Sequence, residues 1–377
     1  MFRILLRSLP ILAIAIVGTV RSADAPVKEK AANWPVFRAN AEMTGSAAAT
    51  LPDQLQELWT FKTGNAIEGA PAIVDGVVYV ASTDKHVYAL DLKTGKQRWK
   101  TAVAAPIKAS PGVRNNRVYV GDSDGKLHCF NATDGKLVWT FETMGEIVAG
   151  VNFHKENILL GSHDSTLYCV SAEGKKVWEF KIDGPVNGTP AVKDDMTFVA
   201  GCDSILHVVD ANTGKEIRNV EIGGQAGATA ALIGNEAFVG TMSNQMIAID
   251  VKNGKKLWSF EAMRRQQPFY SSAAVSEKLV VVGNRDKKIY ALDRETGQER
   301  WSYLTDGNVD GSPIIVGNRV YVGCLSSEGQ FYVLDLKTGN KVQVLNLDSE
   351  VTGSPAVSSD CLLVGTDKGT LYCLGSK

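Results

Sequence analysis

Apolar residues along this chain recur mostly at period two, in short bursts, and nowhere in a sustained, capped 3.6-residue rhythm. One stretch shows the unit. "APAIV" (70–74) is an apolar run, and "VVYVAS" (77–82) is β-branched and aromatic. The polar turn "TDK" leads into "HVYALD" (86–91). "LKTGK" (92–96) then puts a glycine where a hairpin needs positive φ, and "QRWKT" (97–101) is a fourth strand. Proline at the start of the first strand is tolerated because that residue need not donate to a ladder.

The unit repeats. The small residue ending its second strand falls at Ala81, Gly121, Gly161, Gly201, Gly240, Gly283, Gly323 and Gly365, with spacings of 40, 40, 40, 39, 43, 40 and 42. Ten residues earlier (eleven in the fourth copy) stand Pro71, Pro111, Val151, Pro190, Ala230, Ala273, Pro313 and Pro355. Four short strands per ~40 residues, repeated, predict propeller blades, so the fold class is all-β: an eight-bladed β-propeller of four-stranded blades over residues 55–377. The last copy stops after its third strand. Its missing fourth strand is "LQELWTFKT", Leu55–Thr63, so the N-terminal strand is expected to complete the last blade and close the ring.

One slot on the fourth strand holds Trp59, Trp99, Trp139, Trp178, Trp258 and Trp301, with Arg218 and Gln343 at the two remaining places. Wedge-shaped sheets splay outwards, and a ring on each outer strand would fill the gap by packing on the next blade's Thr-Gly turn. These tryptophans are read as blade-docking residues, and Arg218 and Gln343 as the weaker joints. Ala-x-Asp-x-x-Thr-Gly-Lys-x-x-Trp, as in Ala89–Trp99, resembles the docking motif of the quinoprotein, or PQQ-type, repeat. That repeat also builds the outer-membrane assembly propellers of the BamB type. WD40 rings have a similar architecture and period, but no tryptophan here precedes an aspartate. "NWPVFRAN" (33–40) is similar to the strap that precedes such propellers and is expected to lie across the ring.

The resemblance implies either of two functions. The first is a non-enzymatic, exported scaffold that binds a protein partner, as in BamB-type envelope assembly, with no cofactor. The second is a dehydrogenase or sensor binding pyrroloquinoline quinone with Ca²⁺ at the axial channel. A carbohydrate or other small-ligand propeller is a third class. Quinoprotein dehydrogenases carry long insertions and often an adjacent-cysteine pair; these blades are bare and the pair is missing.

The first residues suit export. Arg3 and Arg7 precede a largely apolar run from Leu9 to Val20, then small residues, which reads as a signal peptide over 1–22 with a strap over 23–54. No cysteine lies there, so a soluble periplasmic or envelope protein is expected rather than a lipid-anchored one. Removing Arg3, Arg7 and Arg21 moves the net charge from −1 to −4, with no basic tract, which argues against nucleic acid as a partner. No second long apolar run follows, and a monomer is expected.

Two places carry candidate chemistry. The residue two before each innermost strand's first small residue is the most varied: Glu68, Lys108, Val148, Asn187, Gly227, Tyr270, Asp310 and Thr352. This ring is expected to border the axial channel. Glu68, Lys108, Asn187, Tyr270 and Asp310 are its cofactor-binding candidates, the residue types a Ca²⁺–quinone site would use. The longest connection, Glu261–Phe269, supplies Arg264, Arg265, Gln266 and Gln267 as partner-binding candidates. Other patterns are read as structural. "GDSDG" (121–125) matches a nucleophile elbow but sits in a hairpin turn, and Asp122 and Asp124 lack a calcium loop's distal Glu. The five histidines show no metal spacing, so no metal site is expected. Cys129, Cys169 and Cys373 share the slot of Ala89, Ala248 and Ala291; Cys202 and Cys324 share a second slot, three blades apart. All six cysteines, Cys361 included, are read as free core residues.

Overall fold

The structure is a computed structural model and describes residues 33–263 and 266–376. The signal peptide, the start of the strap, and Arg264 and Arg265 lie outside the described residues. Within them there are eight sheets, no helix, and therefore no helix long and apolar enough to cross a membrane. Each sheet is an antiparallel meander, numbered here as blades 1 to 8 along the chain. Blade 1 comprises Ala72–Val74, Val77–Ser82, His86–Asp91 and Gln97–Ala102. The second and third strands are covered on both faces and their residues are almost all buried. On the outer strand of blade 1 only Trp99 is fully buried, so the apolar pattern fades from axis to rim.

Blade 8 closes as expected. Gln56–Lys62 pairs antiparallel with Thr370–Gly375, with Trp59 opposite Cys373. Tryptophan docking is uniform. Each indole Nε1 donates to a carbonyl of the following blade: Trp59 to Leu92 (2.9 Å), Trp99 to Ala132 (2.9 Å), Trp139 to Ala172 (2.8 Å), Trp178 to Ala211 (3.1 Å), Trp258 to Arg294 (2.8 Å) and Trp301 to Leu336 (2.9 Å). The ring lies flat on a glycine. A Cβ on Gly135, whose φ is +71°, would stand 2.6 Å from the Trp99 indole. Arg218 takes the same site, over Gly254, and donates to the carbonyls of Val251 and Lys252. Gln343 has no such turn to meet, because blade 8 draws its third and fourth strands from opposite ends of the chain. It brackets Leu55 instead, with Oε1 accepting from Leu55 N and Nε2 donating to Leu55 O, both at 2.8 Å.

The register corrects one alignment. Ala200, not Gly201, is the fourth anchor: it faces Leu206 as Gly121 faces Leu127. Two adjacent small residues hid the shift. Cys202 is thereby displaced from the slot of Cys324. Cys202 N donates to Pro185 O, as Leu325 N, one residue beyond Cys324, does to Asn308 O. All six cysteines are free, and Cys202 is half-buried where the other five are buried. Cys361 and Cys373 lie on adjacent strands of blade 8, and the Cys373 thiol is pushed up by the Cys361 thiol beside it and then by burial.

The strap does more than cross the ring. The innermost strands are sheet edges facing the axis, with unpaired N–H groups that need acceptors. Trp34 pairs with Ile73, donating to its carbonyl and accepting from its N–H (2.7 and 2.9 Å). Val113 N then donates to Pro35 O, Val192 N to Ala41 O, Leu232 N to Glu42 O, Val275 N to Thr44 O and Ile315 N to Gly45 O, at 2.8–2.9 Å. Asn152 Nδ2 reaches Ala41 O from blade 3 (2.8 Å). Residues 34–45 therefore touch blades 1 to 7 in order, and Ser46–Ala47 ends as a fifth, parallel strand on blade 7. At the hub Arg38 is 1% exposed, its guanidinium donating to Ala273 O (2.8 Å) and Pro313 O (2.5 Å). Burial pulls the Arg38 pKa down, to about 9. Gly45 leaves room for it: a Cβ there would overlap the Arg38 guanidinium at 1.9 Å.

Candidate functional site

The strap occupies the end of the axis towards which the innermost strands run. At their start the axis opens. A second device holds the strands at this end on five of the eight blades: a hydroxyl one blade on accepts the N–H of the small residue that begins the strand. Ala70 N donates to Ser110 Oγ (2.9 Å), Thr189 N to Thr229 Oγ1 (2.8 Å), and Thr229, Ser272 and Ser312 N to Ser272, Ser312 and Ser354 Oγ (3.0 Å each). Main-chain and hydroxyl bonds thus fix the hub, and the residue two positions earlier is released to vary.

That position forms one site. Glu68, Lys108, Asn187, Tyr270 and Asp310 line a single axial cavity of about 170 Å³, together with Val148 and Gly227, and Phe37 of the strap lies in its wall. Thr352, the eighth member, is not part of the lining; its hydroxyl donates to Asp367 Oδ2 (2.9 Å). Loops between second and third strands contribute residues the sequence reading missed. Arg285 forks onto Asp310, with Nε and Nη2 at 2.9 and 2.6 Å from its oxygens, and its guanidinium carbon lies 4.0 Å from the Tyr270 ring centroid. That pairing holds Arg285 above its ordinary value. Lys108 Nζ lies 3.0 Å from Glu146 Oε1, which also accepts from Ser123 Oγ (2.7 Å). The Glu146 bond raises the Lys108 pKa. Burial would raise Glu146, but hydrogen bonds from Ser123 and Lys108 outweigh it and leave it lowered. Asn187 Nδ2 points to Cys202 Sγ at 3.1 Å. Glu68 has its pKa raised by burial and by the nearby carboxylates Asp367 and Glu146, against the pull of Lys108.

The described residues of the loop expected to bind a partner, Gln266 and Gln267, lead into Tyr270 on the same side of the ring. Gln266 is exposed, and half-buried Gln267 is anchored through its carbonyl, which accepts from Asn284 Nδ2 (2.9 Å). Phe269 is buried, and Met263 at the loop's start is 95% exposed. The elbow-like Gly121–Gly125 is a turn. Asp122 Oδ1 accepts from Asp124 N and Lys126 N, and its Oδ2 meets His128 Nε2 at 2.7 Å.

Fold and site together define an eight-bladed propeller with one end of its axis strapped and the other open as a charged mouth. The chain belongs to the family described as outer membrane protein assembly factor BamB, whose model matches residues 44–161, 123–259 and 163–377. No curated protein sequence matches it. Many solved structures share the fold, three of them as follows. BamB from Moraxella catarrhalis superposes with a TM-score of 0.73 at 17% identity, over 86% of this chain and 98% of that one. A computationally designed protein, Ika8, gives 0.74 at 20% identity, over 85% and 100%. A europium-containing methanol dehydrogenase gives 0.75 at 13% identity, over 92% and 98%. The fold alone therefore accommodates an assembly factor, a designed ring and an enzyme.

Proposed function

We propose that this protein is an exported, non-enzymatic scaffold whose mouth-side loops hold a protein partner in the cell envelope. Family membership supports the class of function, since the matching model describes an assembly factor. The observation that carries the choice over a quinone enzyme is the pairing of the mouth's charges. A quinone centre needs a free cation at the quinone oxygens and an open aromatic face. Lys108 is engaged by Glu146 and Asp310 by Arg285, and Arg285 covers Tyr270. Glu68, Asn187 and Asp310 belong to blades 1, 4 and 7, so they do not converge as a Ca²⁺ shell. A cavity of about 170 Å³ is also below the ~300–1,000 Å³ usual for sites that enclose cofactor-sized ligands.

The test has two arms. Calorimetric titration of the purified protein with pyrroloquinoline quinone and Ca²⁺ should give no saturable heat. One-to-one binding, lost on changing Glu68, Asn187 or Asp310 to Ala, would replace the scaffold with the quinone reading. Cross-linking in the native envelope should then capture a protein, and substituting Arg264, Arg265, Gln266 and Gln267 together by Ala should reduce that capture.

A further inference from the structure

The charges of the mouth do not all cancel. Of the two carboxylates lining the cavity, Asp310 is forked by Arg285. Glu68 makes no hydrogen bond or ion pair among the described residues, although it is half-buried. The nearest cation, Lys108, is spent on Glu146, and the next charges felt by Glu68 are the carboxylates Asp367 and Glu146. One oxygen of Asp367, Oδ1, is itself buried without a partner. A half-buried carboxylate facing further negative charge is a costly arrangement that a cationic occupant would relieve.

The rest of the lining says what kind of cation. Val148, Ala149 and Phe37 give an otherwise polar lining one apolar stretch, and a volume of about 170 Å³ suits one unbranched side chain. A metal ion is poorly served, because one carboxylate stands without converging donors. We infer that the axial cavity receives a lysine side chain of the protein partner, its methylenes against Val148 and Ala149 and its ammonium on Glu68. This rests on the scaffold reading and deepens it. The loop at Glu261–Phe269 would hold the partner's surface while the cavity takes one side chain as a register pin.

The probe is Nα-acetyl-lysine methylamide, followed by amide NMR shifts in the full chain. Nα-acetyl-norleucine methylamide is the neutral control and cadaverine the free-amine control. Saturable shifts at Gly69, Lys108 and Val148 are expected, with norleucine at least about tenfold weaker, because a charge-assisted bond is at stake. Glu68→Gln should weaken the lysine probe by a similar factor. Equal binding of norleucine, no saturable shift, or an unaffected Glu68→Gln variant would each overturn the inference. Cadaverine binding tenfold tighter than the lysine probe would also overturn it, in favour of a free-amine site. If Glu68→Gln fails to fold, the comparison of lysine with norleucine in the unaltered chain still decides. Lysine binding without any cross-linked partner would fall on the scaffold reading instead; a captured partner without lysine binding falls on this inference alone.

Discussion

Replacing Trp99 by Ala tests how the ring is held together. The indole is 8% exposed, rests on Gly135, and donates to Ala132 O at 2.9 Å. Aromatic-to-Ala changes in such sites cost about 3–5 kcal/mol. For roughly 340 residues in the propeller and strap at about 2.1 cal/mol/K each, the unfolding entropy is about 0.7 kcal/mol/K, so the melting temperature should drop by about 4–7 °C in calorimetry. Gly135→Ala should also destabilise, since its φ is +71° and its Cβ would sit 2.6 Å from the indole. The double variant is the sharper assay. Without the indole the new methyl loses its closest clash, and only Thr101 Oγ1 at 2.8 Å and the positive φ remain, so the double variant should cost less than the sum of the two single changes. A Trp99→Ala drop below ~1 °C, or full additivity in the double variant, would refute the view that ring-on-glycine docking holds the blades.

Other consequences follow from particular groups. Arg218 already lies over Gly254 where the tryptophans lie over theirs, so Arg218→Trp should raise the melting temperature by a few degrees, and a lowered value would show that the joint is shaped for arginine. Glu68 has a folded pKa above its unfolded value near 4.5, so its ionisation opposes folding as pH rises through that window. Glu68→Gln should therefore melt higher than the parent at pH 7, with the gain vanishing below about pH 4; a lower melt at neutral pH contradicts the assignment. Deleting residues 55–63 removes the strand paired with Thr370–Gly375, exposes an edge and should abolish the cooperative melt. Six thiols should titrate in denaturant without reductant; a shortfall of two would point to Cys361 and Cys373, the two that touch.

The repeat was legible because every blade solves the same problem in the same order, so strand pattern, turn glycine and docking tryptophan recur at one spacing. Legibility failed where one residue of slack hides between small residues, as at Ala200–Gly201, and dragged Cys202 into the wrong slot. The ring of variable residues was readable, since each stands at a fixed distance from a recognisable strand. Its pairings were not. Arg285 and Asp310 are 25 residues apart, and Lys108 and Glu146 are 38 apart, spacings with no signature until blades are set side by side. Aligning the second-to-third-strand loops as carefully as the first strands would have shown Ser123, His163, Arg285 and Asp367 as an outer tier. The strap's course was hidden for another reason. Its carbonyls do the bonding, and any residue has a carbonyl; a charged Arg38 even argues for the surface.

The two ends of the axis differ in kind. At the strapped end, seven blades meet one segment, mostly through main-chain bonds, and the guanidinium of Arg38 ties blades 6 and 7 to the hub. Substituting surface residues there changes little that a partner could read. At the mouth, hydroxyls one step deeper carry the frame on five blades, so the positions two residues earlier, seven of which line the cavity, differ from blade to blade without loosening the ring. Rigidity and variability are separated by two residues on each innermost strand. The proposed scaffold would use that separation, with recognition altered at Glu68 while Ala70 and Ser272 keep the disc intact. The same logic suits the Glu261–Phe269 connection, which leads into Tyr270 at a lengthened joint between blades 5 and 6, where added chain leaves the docking tryptophans undisturbed.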